Sequence, residues 1–121
     1  MIGIGIDSVE VDRFRVVAAR RPGVLDRLFT DDERRYAERR RDPTERFAAR
    51  FAAKEAVMKA LGVGVGACKW REIEVVRAPS GAPSIRLHGG AERLGAARGV
   101  VGWRLSLTHT HRSAEAVAVA L

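Results

Sequence analysis

The stretch RFAARFAAKEAVMKALG, residues 46–62, predicts a long helix, because almost every residue in it favours helical structure. Thr44 can cap its amino-terminal end, and Gly62 is typical of a helix stop. At about 100° per residue, the large apolar side chains form one stripe and the alanines form a second face. The stripe contains Phe47, Phe51, Val57, Met58 and Leu61. A helix that is apolar on nearly all sides is usually buried, so we expect the rest of the chain to surround it.

Four charges interrupt this apolar helix. Arg50 and Lys54 fall within the stripe, whereas Glu55 and Lys59 lie at the boundary between the two faces. Like charges four residues apart are unfavourable unless an anion lies between them, and a Glu followed by a Lys at that spacing is favourable. Two interpretations stay open: basic side chains that extend to water plus one helical salt bridge, or a functional site.

The composition predicts one domain, residues 1–121, with a single core, because 46% of its residues are hydrophobic. No apolar run is long enough to span a membrane, and no signal-peptide pattern opens the chain. Cys68 is the only cysteine, which excludes an internal disulfide and a cysteine-based metal site. We therefore expect a cytoplasmic protein without a membrane partner.

The net charge of +7 predicts a polyanionic partner, which could be nucleic acid, a phosphorylated cofactor or an acidic protein. A basic nucleic-acid-binding module is therefore the alternative function. However, only 6% of the residues are aromatic, and the chain has no helix-turn-helix, zinc or RNA-binding signature. The sequence thus favours no nucleic acid as partner.

Short helices and antiparallel strands are predicted around the central helix. MIGIGID at 1–7 alternates isoleucines with glycines and Asp7, which is typical of a strand whose glycine side admits another backbone. Further strands are expected at 70–78, 84–88, 103–110 and 113–121, and further helices at 9–20, 30–41 and 89–99. The predicted fold class is α+β, with an antiparallel sheet wrapped around a long central helix.

Two of these strands carry expectations about their faces. In strand 70–78, Ile73 and Val75 are expected to face inward, and Glu72 and Glu74 outward. The last strand is apolar on both sides, and such a strand is covered on both sides. In so small a chain, one of the two covers can be another subunit.

Asp7 has two interpretations. Together with Glu10 it resembles a capping box, and the residues alone favour that role. If Asp7 instead meets Glu55, the two carboxylates form a hard-oxygen site suited to Mg²⁺ and a substrate phosphate. Lys59, one turn beyond Glu55, would then neutralise charge on a phosphate oxygen or a leaving group.

Two other groups are ambiguous. His109 is either a satisfied core histidine or a hydrogen-bonding partner of a phosphate or hydroxyl. Arg13, Arg20 and Arg27 form either an ordinary solvated face or a basic strip that docks an acidic helix. The residues alone point to a Mg²⁺-dependent phosphoryl-group enzyme.

Over essentially its full length the chain resembles the AcpS-type 4′-phosphopantetheinyl transferases, the holo-acyl-carrier-protein synthases. The resemblance lies in GIGIDSVEVDRF at 3–14, RFAARFAAKEAVMKALG at 46–62, WREIEVV at 70–76, SGAPSIRL at 80–87 and LSLTHTHRSAEAVAVAL at 105–121. Its most specific part is Asp7 followed by F-x-A-K-E-A-x-x-K-A-x-G. It implies that family's fold and transfer of 4′-phosphopantetheine from coenzyme A to a serine of apo-acyl carrier protein, with adenosine 3′,5′-bisphosphate as by-product.

The resemblance also implies residue roles at the reaction centre. Asp7 and Glu55 would hold Mg²⁺ with the coenzyme A pyrophosphate, and Lys59 would assist the departing phosphate. The implied coenzyme A contacts are Arg50, Lys54, His109 and Thr110. The base would be Glu55, acting directly or, as we favour, through a metal-bound water, because a carboxylate on Mg²⁺ is a poor base.

Other implied roles concern partners. Gly81 and Pro83 match a G-x-P turn that lies near the nucleotide of a neighbouring subunit's site, in a family that is typically trimeric. The acidic helix of the carrier would dock on Arg13, Val17, Arg20 and Arg27, and Arg21 would share that role. Gly23 stands where such enzymes often have a further basic residue.

Overall fold

Helix α4, Thr44–Leu61, lies at the centre of the structure, a computed structural model that describes all 121 residues. Strand β1 (Gly3–Glu10) precedes three shorter helices: α1 (Val11–Arg20), α2 (Val24–Leu28) and α3 (Asp31–Ala37). After α4 come a 3₁₀ turn (Trp70–Glu72), β2 (Ile73–Arg77), β3 (Pro83–Leu87), α5 (Gly89–Ala97), β4 (Trp103–His109) and β5 (Ser113–Ala120). None of these helices is both long and apolar enough to cross a membrane.

The strands form two antiparallel sheets that lie against α4. The larger sheet has the order β1-β5-β4, and β2 pairs only with β3. In the larger sheet, Gly5 pairs with Ala118, which also pairs with Leu105. The predicted α+β class, with antiparallel strands around a long helix, is confirmed.

Two glycines let β1 touch the backbone of α4. A Cβ atom at Gly3 would overlap the carbonyl oxygen of Ala60, and one at Gly5 would overlap that of Ala56. The expectation that the glycine side admits another backbone is therefore confirmed. Because side chains alternate along a strand, Asp7 also faces α4, whereas Ile4 and Ile6 lie on the opposite, exposed face.

The core consists of two clusters on α4. One lies between α4 and the two sheets and contains Val57, Ile73 and Ala116; the other lies under α1 to α3 and contains Phe14, Phe29 and Phe47. The alanines of β5 are buried against α4, and the valines between them are only half-buried. The opposite side of β5 is therefore the side left for another cover.

The ends of two helices differ from the prediction. Asp7 lies within β1, and α1 begins only at Val11, so the predicted capping box at Asp7 is wrong. Thr44 is the first helical residue of α4 rather than its cap. The Asp42 carboxylate accepts hydrogen bonds from both the backbone nitrogen and the hydroxyl of Thr44. The carboxyl-terminal end is as predicted, since Gly62 has a left-handed φ of 72°.

The segment around β2 also differs from the prediction. The strand begins at Ile73, after a 3₁₀ turn, and Ile73 and Val75 face the core as expected. Glu74 is buried rather than outward, because its carboxylate accepts a hydrogen bond from the Thr30 hydroxyl and contacts Nε2 of His88. Helix α2 was not predicted, and α3 ends at Ala37 instead of near residue 41.

Candidate active site

Asp7 and Glu55 meet between β1 and α4. Burial raises the pKa of Glu55 to about 7, and the hydrogen bond and negative charge of Asp7 raise it as well, while Lys59 lowers it. Strand β1 places Asp7 here because its glycines bring the strand into backbone contact with the helix. Two carboxylates therefore face each other without enough positive charge to balance them.

Lys59 completes this cluster on the exposed flank of α4. Its Nζ donates to Oδ1 of Asp7 at 2.8 Å and to the backbone oxygen of Ile6 at 3.0 Å. The predicted helical salt bridge with Glu55 is absent, because Lys59 pairs with β1 instead. The cluster thus offers oxygen ligands for a cation next to an ammonium group that can neutralise a phosphate oxygen.

A cleft of about 580 Å³ opens directly beside Glu55. Arg13 and Val17 of α1 line it, together with Phe51 and Trp70, whose ring centroids are 5.0 Å apart. Two of the residues predicted to dock a carrier therefore share a cavity with Glu55. The other two, Arg20 and Arg27, are exposed at the end of α1 and on α2.

Arg50 lies in a second cleft, of about 840 Å³, on another side of α4. It is only 5% exposed, its Nε has no hydrogen-bond partner, and burial lowers its pKa to about 10. Its guanidinium lies 4.2 Å from the ring centre of Tyr36. The cleft also contains Gly81, which has a φ of 89°, and the turn leads into Pro83 at the start of β3.

The structure thus places the sequence-predicted site residues on two sides of α4. Arg50 and Gly81 share the second cleft, which we call the basic cleft. Arg50 and Glu55 are roughly 140° apart around α4. Within one chain, the basic cleft and the carboxylate pair therefore face different directions.

Lys54 is not available to a ligand in this structure. Its side chain is fully buried, and Nζ donates to Oε1 of Glu33 at 2.8 Å, to the backbone oxygen of Trp70 at 3.0 Å and to that of Ile73. These contacts use all three donors of the ammonium group. The predicted contact between Lys54 and coenzyme A is contradicted, and so is the alternative in which its tip extends to water.

Glu33 is the residue that sequence reasoning missed. It forms a capping box with Thr30, yet it is only 1% exposed, and its second oxygen accepts from the backbone nitrogen of Val75. Its charge also attracts Arg50. The anion expected between Arg50 and Lys54 therefore comes from the chain itself, and only the capping pattern marked this position.

His109 and Thr110 lie where β4 ends. Nδ1 of His109 is 2.8 Å from Oε1 of Glu45, so the histidine is not a core residue. The Thr110 hydroxyl oxygen accepts from the backbone nitrogens of the turn, at 3.1 and 3.2 Å. His109 shares the α4-facing side of the sheet with Asp7, at roughly 12 Å by strand spacing, so the two would touch different parts of one ligand.

The two carboxylates of Asp7 and Glu55 suit a cation that a substrate helps to bind. The chain has no cluster of three or more His, Cys, Asp or Glu side chains that could hold a metal ion. Mg²⁺, however, often binds through one or two carboxylates and completes its shell with waters and substrate phosphates. Asp7 and Glu55 fit that pattern.

Comparisons with known proteins show which family the chain resembles. The model of the 4′-phosphopantetheinyl transferase superfamily matches residues 3–119. A holo-[acyl-carrier-protein] synthase of Desulforudis audaxviator is 47% identical over 122 residues, which cover 100% of this chain and 93% of that protein.

Solved structures give the same result. The crystal structure of holo-[acyl-carrier-protein] synthase from Neisseria meningitidis matches with a TM-score of 0.91 at 28% identity, covering 100% of this chain and 98% of that chain. The Helicobacter pylori enzyme in complex with coenzyme A matches with a TM-score of 0.84 at 29% identity, covering 98% and 99%.

Proposed function

The chain belongs to the 4′-phosphopantetheinyl transferase superfamily, and we propose that it transfers 4′-phosphopantetheine from coenzyme A to a serine of apo-acyl carrier protein. The second product is adenosine 3′,5′-bisphosphate. The observation that carries this function is the cluster of Asp7, Glu55 and Lys59, whose Glu55 also lines a cleft together with helix α1. The relatives named as holo-[acyl-carrier-protein] synthases support it.

Mg²⁺ is the cation that we assign to the carboxylate pair. Asp7 and Glu55 would hold it, and the raised pKa of Glu55, caused by burial and by Asp7, indicates a pair that a cation would stabilise. When bound, Mg²⁺ supplies Lewis-acid polarisation of the phosphoryl oxygens. The two carboxylates provide no complete cage by themselves, so the pyrophosphate of coenzyme A would contribute further oxygens.

The residues of the chain have distinct tasks in the transfer. The carrier serine oxygen forms a bond to the β-phosphorus of coenzyme A while the bond to adenosine bisphosphate breaks in line. Lys59 would neutralise the departing phosphate, and its exposed ammonium next to Asp7 supports this role. Glu55 would receive the serine proton, directly or, as we favour, through a water.

The carrier would dock on α1 and α2. Arg13, Arg20 and Arg27 are exposed, and Val17 is 41% exposed between them. An acidic helix on this basic surface would bring its serine to the cleft that contains Glu55. The continuity of the docking surface with the carboxylate pair supports the carrier, rather than nucleic acid, as the partner, and no membrane partner is proposed.

Coenzyme A would be held between two copies of the chain. Arg50 and Gly81 line the basic cleft on another side of α4, and Pro83 follows in the same turn at the start of β3. His109, by contrast, lies on the same side of the sheet as Asp7, and Thr110 is the next residue along the chain. A neighbouring subunit that turns its basic cleft toward the carboxylate pair would complete the site. We therefore propose a cytoplasmic homotrimer with sites between subunits, as in the family that the sequence resembles.

The outer face of the larger sheet is the surface that such a neighbour would cover. Ile4 and Ile6 are 57% and 64% exposed, and they lie beside Val119 and Val117 of β5. Exposed apolar side chains that form one continuous face are typical of an interaction surface. This face agrees with the expectation that a second subunit covers the last strand.

A transfer assay tests the function. The purified chain is incubated with coenzyme A, Mg²⁺ and an apo-acyl carrier protein, and the carrier is weighed by intact-protein mass spectrometry. We expect a gain of one phosphopantetheine, and no gain when EDTA replaces Mg²⁺ or when the carrier serine is replaced by alanine. An unmodified carrier in the complete mixture, together with tight retention of nucleic acid by the chain, would favour the nucleic-acid-binding alternative.

A further inference from the structure

Glu45, in the first turn of α4, lies between two imidazoles. Its Oε1 is 2.8 Å from Nδ1 of His109, and its Oε2 is 3.1 Å from Nδ1 of His111. Each carboxylate oxygen therefore contacts one ring nitrogen. The pKa of Glu45 is lowered, chiefly by the hydrogen bond from His109, so the carboxylate stays charged at neutral pH.

The two histidines differ in how firmly the fold holds them. His109 ends β4 and its side chain is 33% exposed, whereas His111 lies in the turn before β5 and is 98% exposed. Glu45 is fixed by α4, whose following turns are buried in the core. The contact with His109 thus joins a helix to a strand, and the contact with His111 joins the helix to a solvent-exposed side chain of a turn.

The contact with Glu45 determines which His109 nitrogen faces a ligand. Nδ1 donates to the carboxylate, and Nε2 has no hydrogen bond within the chain. A carboxylate behind an imidazole fixes the tautomer and the ring orientation. Nε2 is then the nitrogen left for a ligand, and it donates to an anionic oxygen when the ring carries both protons. His109 can therefore present an oriented Nε2–H to an anionic oxygen.

We propose that Glu45 is a positioning residue that orients His109, so that Nε2 faces a phosphate oxygen of coenzyme A. This role rests on the proposed function only for the identity of the ligand. The orientation itself follows from the distances between Glu45 and the two rings. Glu45 lies on the same flank of α4 as Lys59, at roughly 40° by helical geometry, so the oriented ring faces the side that carries the carboxylate pair.

The first test measures the orientation without any substrate. Nitrogen-15 NMR of the imidazoles at pH 8 reports which ring nitrogen carries the proton. We expect His109 to be protonated at Nδ1 in the wild-type protein and to shift toward the Nε2-protonated tautomer in Glu45→Ala. Glu45→Asp should restore part of the Nδ1 signal. An unchanged tautomer in Glu45→Ala would overturn the positioning role.

The second test measures whether Glu45 acts through His109. Isothermal titration with coenzyme A should show about a 10-fold loss of affinity for Glu45→Ala, at the lower end of the range for loss of an outer-shell orienting carboxylate. The same change in a His109→Ala background should have no further effect. Fully additive losses would show that Glu45 acts by another route, and would overturn the proposal.

His111→Ala is the matched control, because His111 contacts the other oxygen of the same carboxylate. We expect its affinity for coenzyme A to equal that of the wild type, and a loss as large as that of Glu45→Ala would contradict the assignment to His109. Circular dichroism verifies the fold of each variant. If the wild-type protein binds no coenzyme A, the proposed function and this ligand fail together, and the tautomer experiment still decides the orientation.

Discussion

Lys54 and Glu55 are neighbours on α4, yet they lie in opposite environments. Lys54 is fully buried, and each donor of its ammonium group has a partner within the chain. Glu55 is half-buried beside Asp7, and burial together with that second carboxylate raises its pKa to about 7. A charge within the apolar helix is therefore structural where partners in the chain take up all of its hydrogen bonds. It is available for chemistry where the chain places a like charge next to it.

The two environments come from different neighbours of the helix. One residue along α4 corresponds to a rotation of about 100°, which turns from the side of α3 and β2 to the side of β1. On the first side Glu33 is held by Thr30 and by the backbone of Val75. On the second side the glycines of β1 let Asp7 approach the helix closely.

Glu55→Gln should show the largest difference between an effect on turnover and an effect on stability. We expect turnover to fall by about 10²–10³-fold, the range found when one group that stabilises the transition state is removed. The free energy of unfolding should not fall, because the change removes the repulsion with Asp7. Steady-state kinetics and urea denaturation measure the two quantities. A variant that unfolds more easily while retaining activity would show that Glu55 is structural, and would contradict the difference between Glu55 and Lys54.

Lys54→Met tests the structural side of the comparison. It leaves the Glu33 charge buried without its partner, so we expect a loss of about 3–5 kcal/mol in the free energy of unfolding. Adding Glu33→Gln should recover part of that loss, because the neutral side chain no longer needs a buried cation. Urea denaturation of the single and double variants decides this, and a double variant less stable than Lys54→Met would contradict it.

Gly5→Ala tests how the carboxylate pair is assembled. The new Cβ would overlap the carbonyl oxygen of Ala56, and overpacking of this kind typically costs about 1–3 kcal/mol. Because β1 must then move away from α4, turnover should fall as well, even at temperatures where the variant is folded. Gly64→Ala is the matched control, since nothing lies within 4 Å of its Cβ. Equal kinetics for both variants would show that the close approach is unnecessary.

Asp42→Ala should have the smallest effect, because the contacts of Asp42 with Thr44 at the start of α4 and with Arg15 of α1 are exposed to solvent. The pKa of Asp42 is lowered to about 2, mainly by the hydrogen bond from the Thr44 hydroxyl and secondly by the hydrogen bond from Arg15. Loss of a capping carboxylate costs about 1 kcal/mol, and exposure to solvent reduces this further. Since the folded pKa is depressed, the contribution is present above the unfolded value of 3.8 and is lost as the pH falls toward about 2. Urea denaturation of the wild type and of Asp42→Ala should therefore give a smaller difference in the free energy of unfolding at pH 3 than at pH 7. A larger difference at pH 3 would contradict the assignment.

The sequence predicted the parts of the fold that depend on local periodicity. The burial of α4, the two faces of β1 and the turn between β2 and β3 follow from helical or strand spacing and from glycine. The like charges of Arg50 and Lys54 indicated that an anion is needed nearby, and the family resemblance assigned that anion to coenzyme A, whereas the structure places Glu33 there. Periodicity could not say whether that anion comes from a ligand or from the chain, because Glu33 lies 21 residues before Lys54.

The remaining errors arose where tertiary contacts override a local pattern. Asp7 matched a capping box by spacing, but pairing with Ala116 continues the strand beyond it. Alternation placed Glu74 outward, but Thr30 and His88 cover that side of β2. The proximity of Asp7 to Glu55 was expected only through the family resemblance, since 48 residues separate them and no local signal connects them.

Mg²⁺ binding tests most directly the claim that the carboxylate pair, unlike the buried ion pair, is built for a ligand. Isothermal titration of Mg²⁺ into the protein saturated with coenzyme A, corrected for coenzyme A alone, measures it. We predict one Mg²⁺ per site in the wild-type protein and at least about a tenfold loss of affinity in Glu55→Gln, of the order that lost ligand support causes. Equal Mg²⁺ affinity in the two proteins, or no binding to the wild type, would contradict this account.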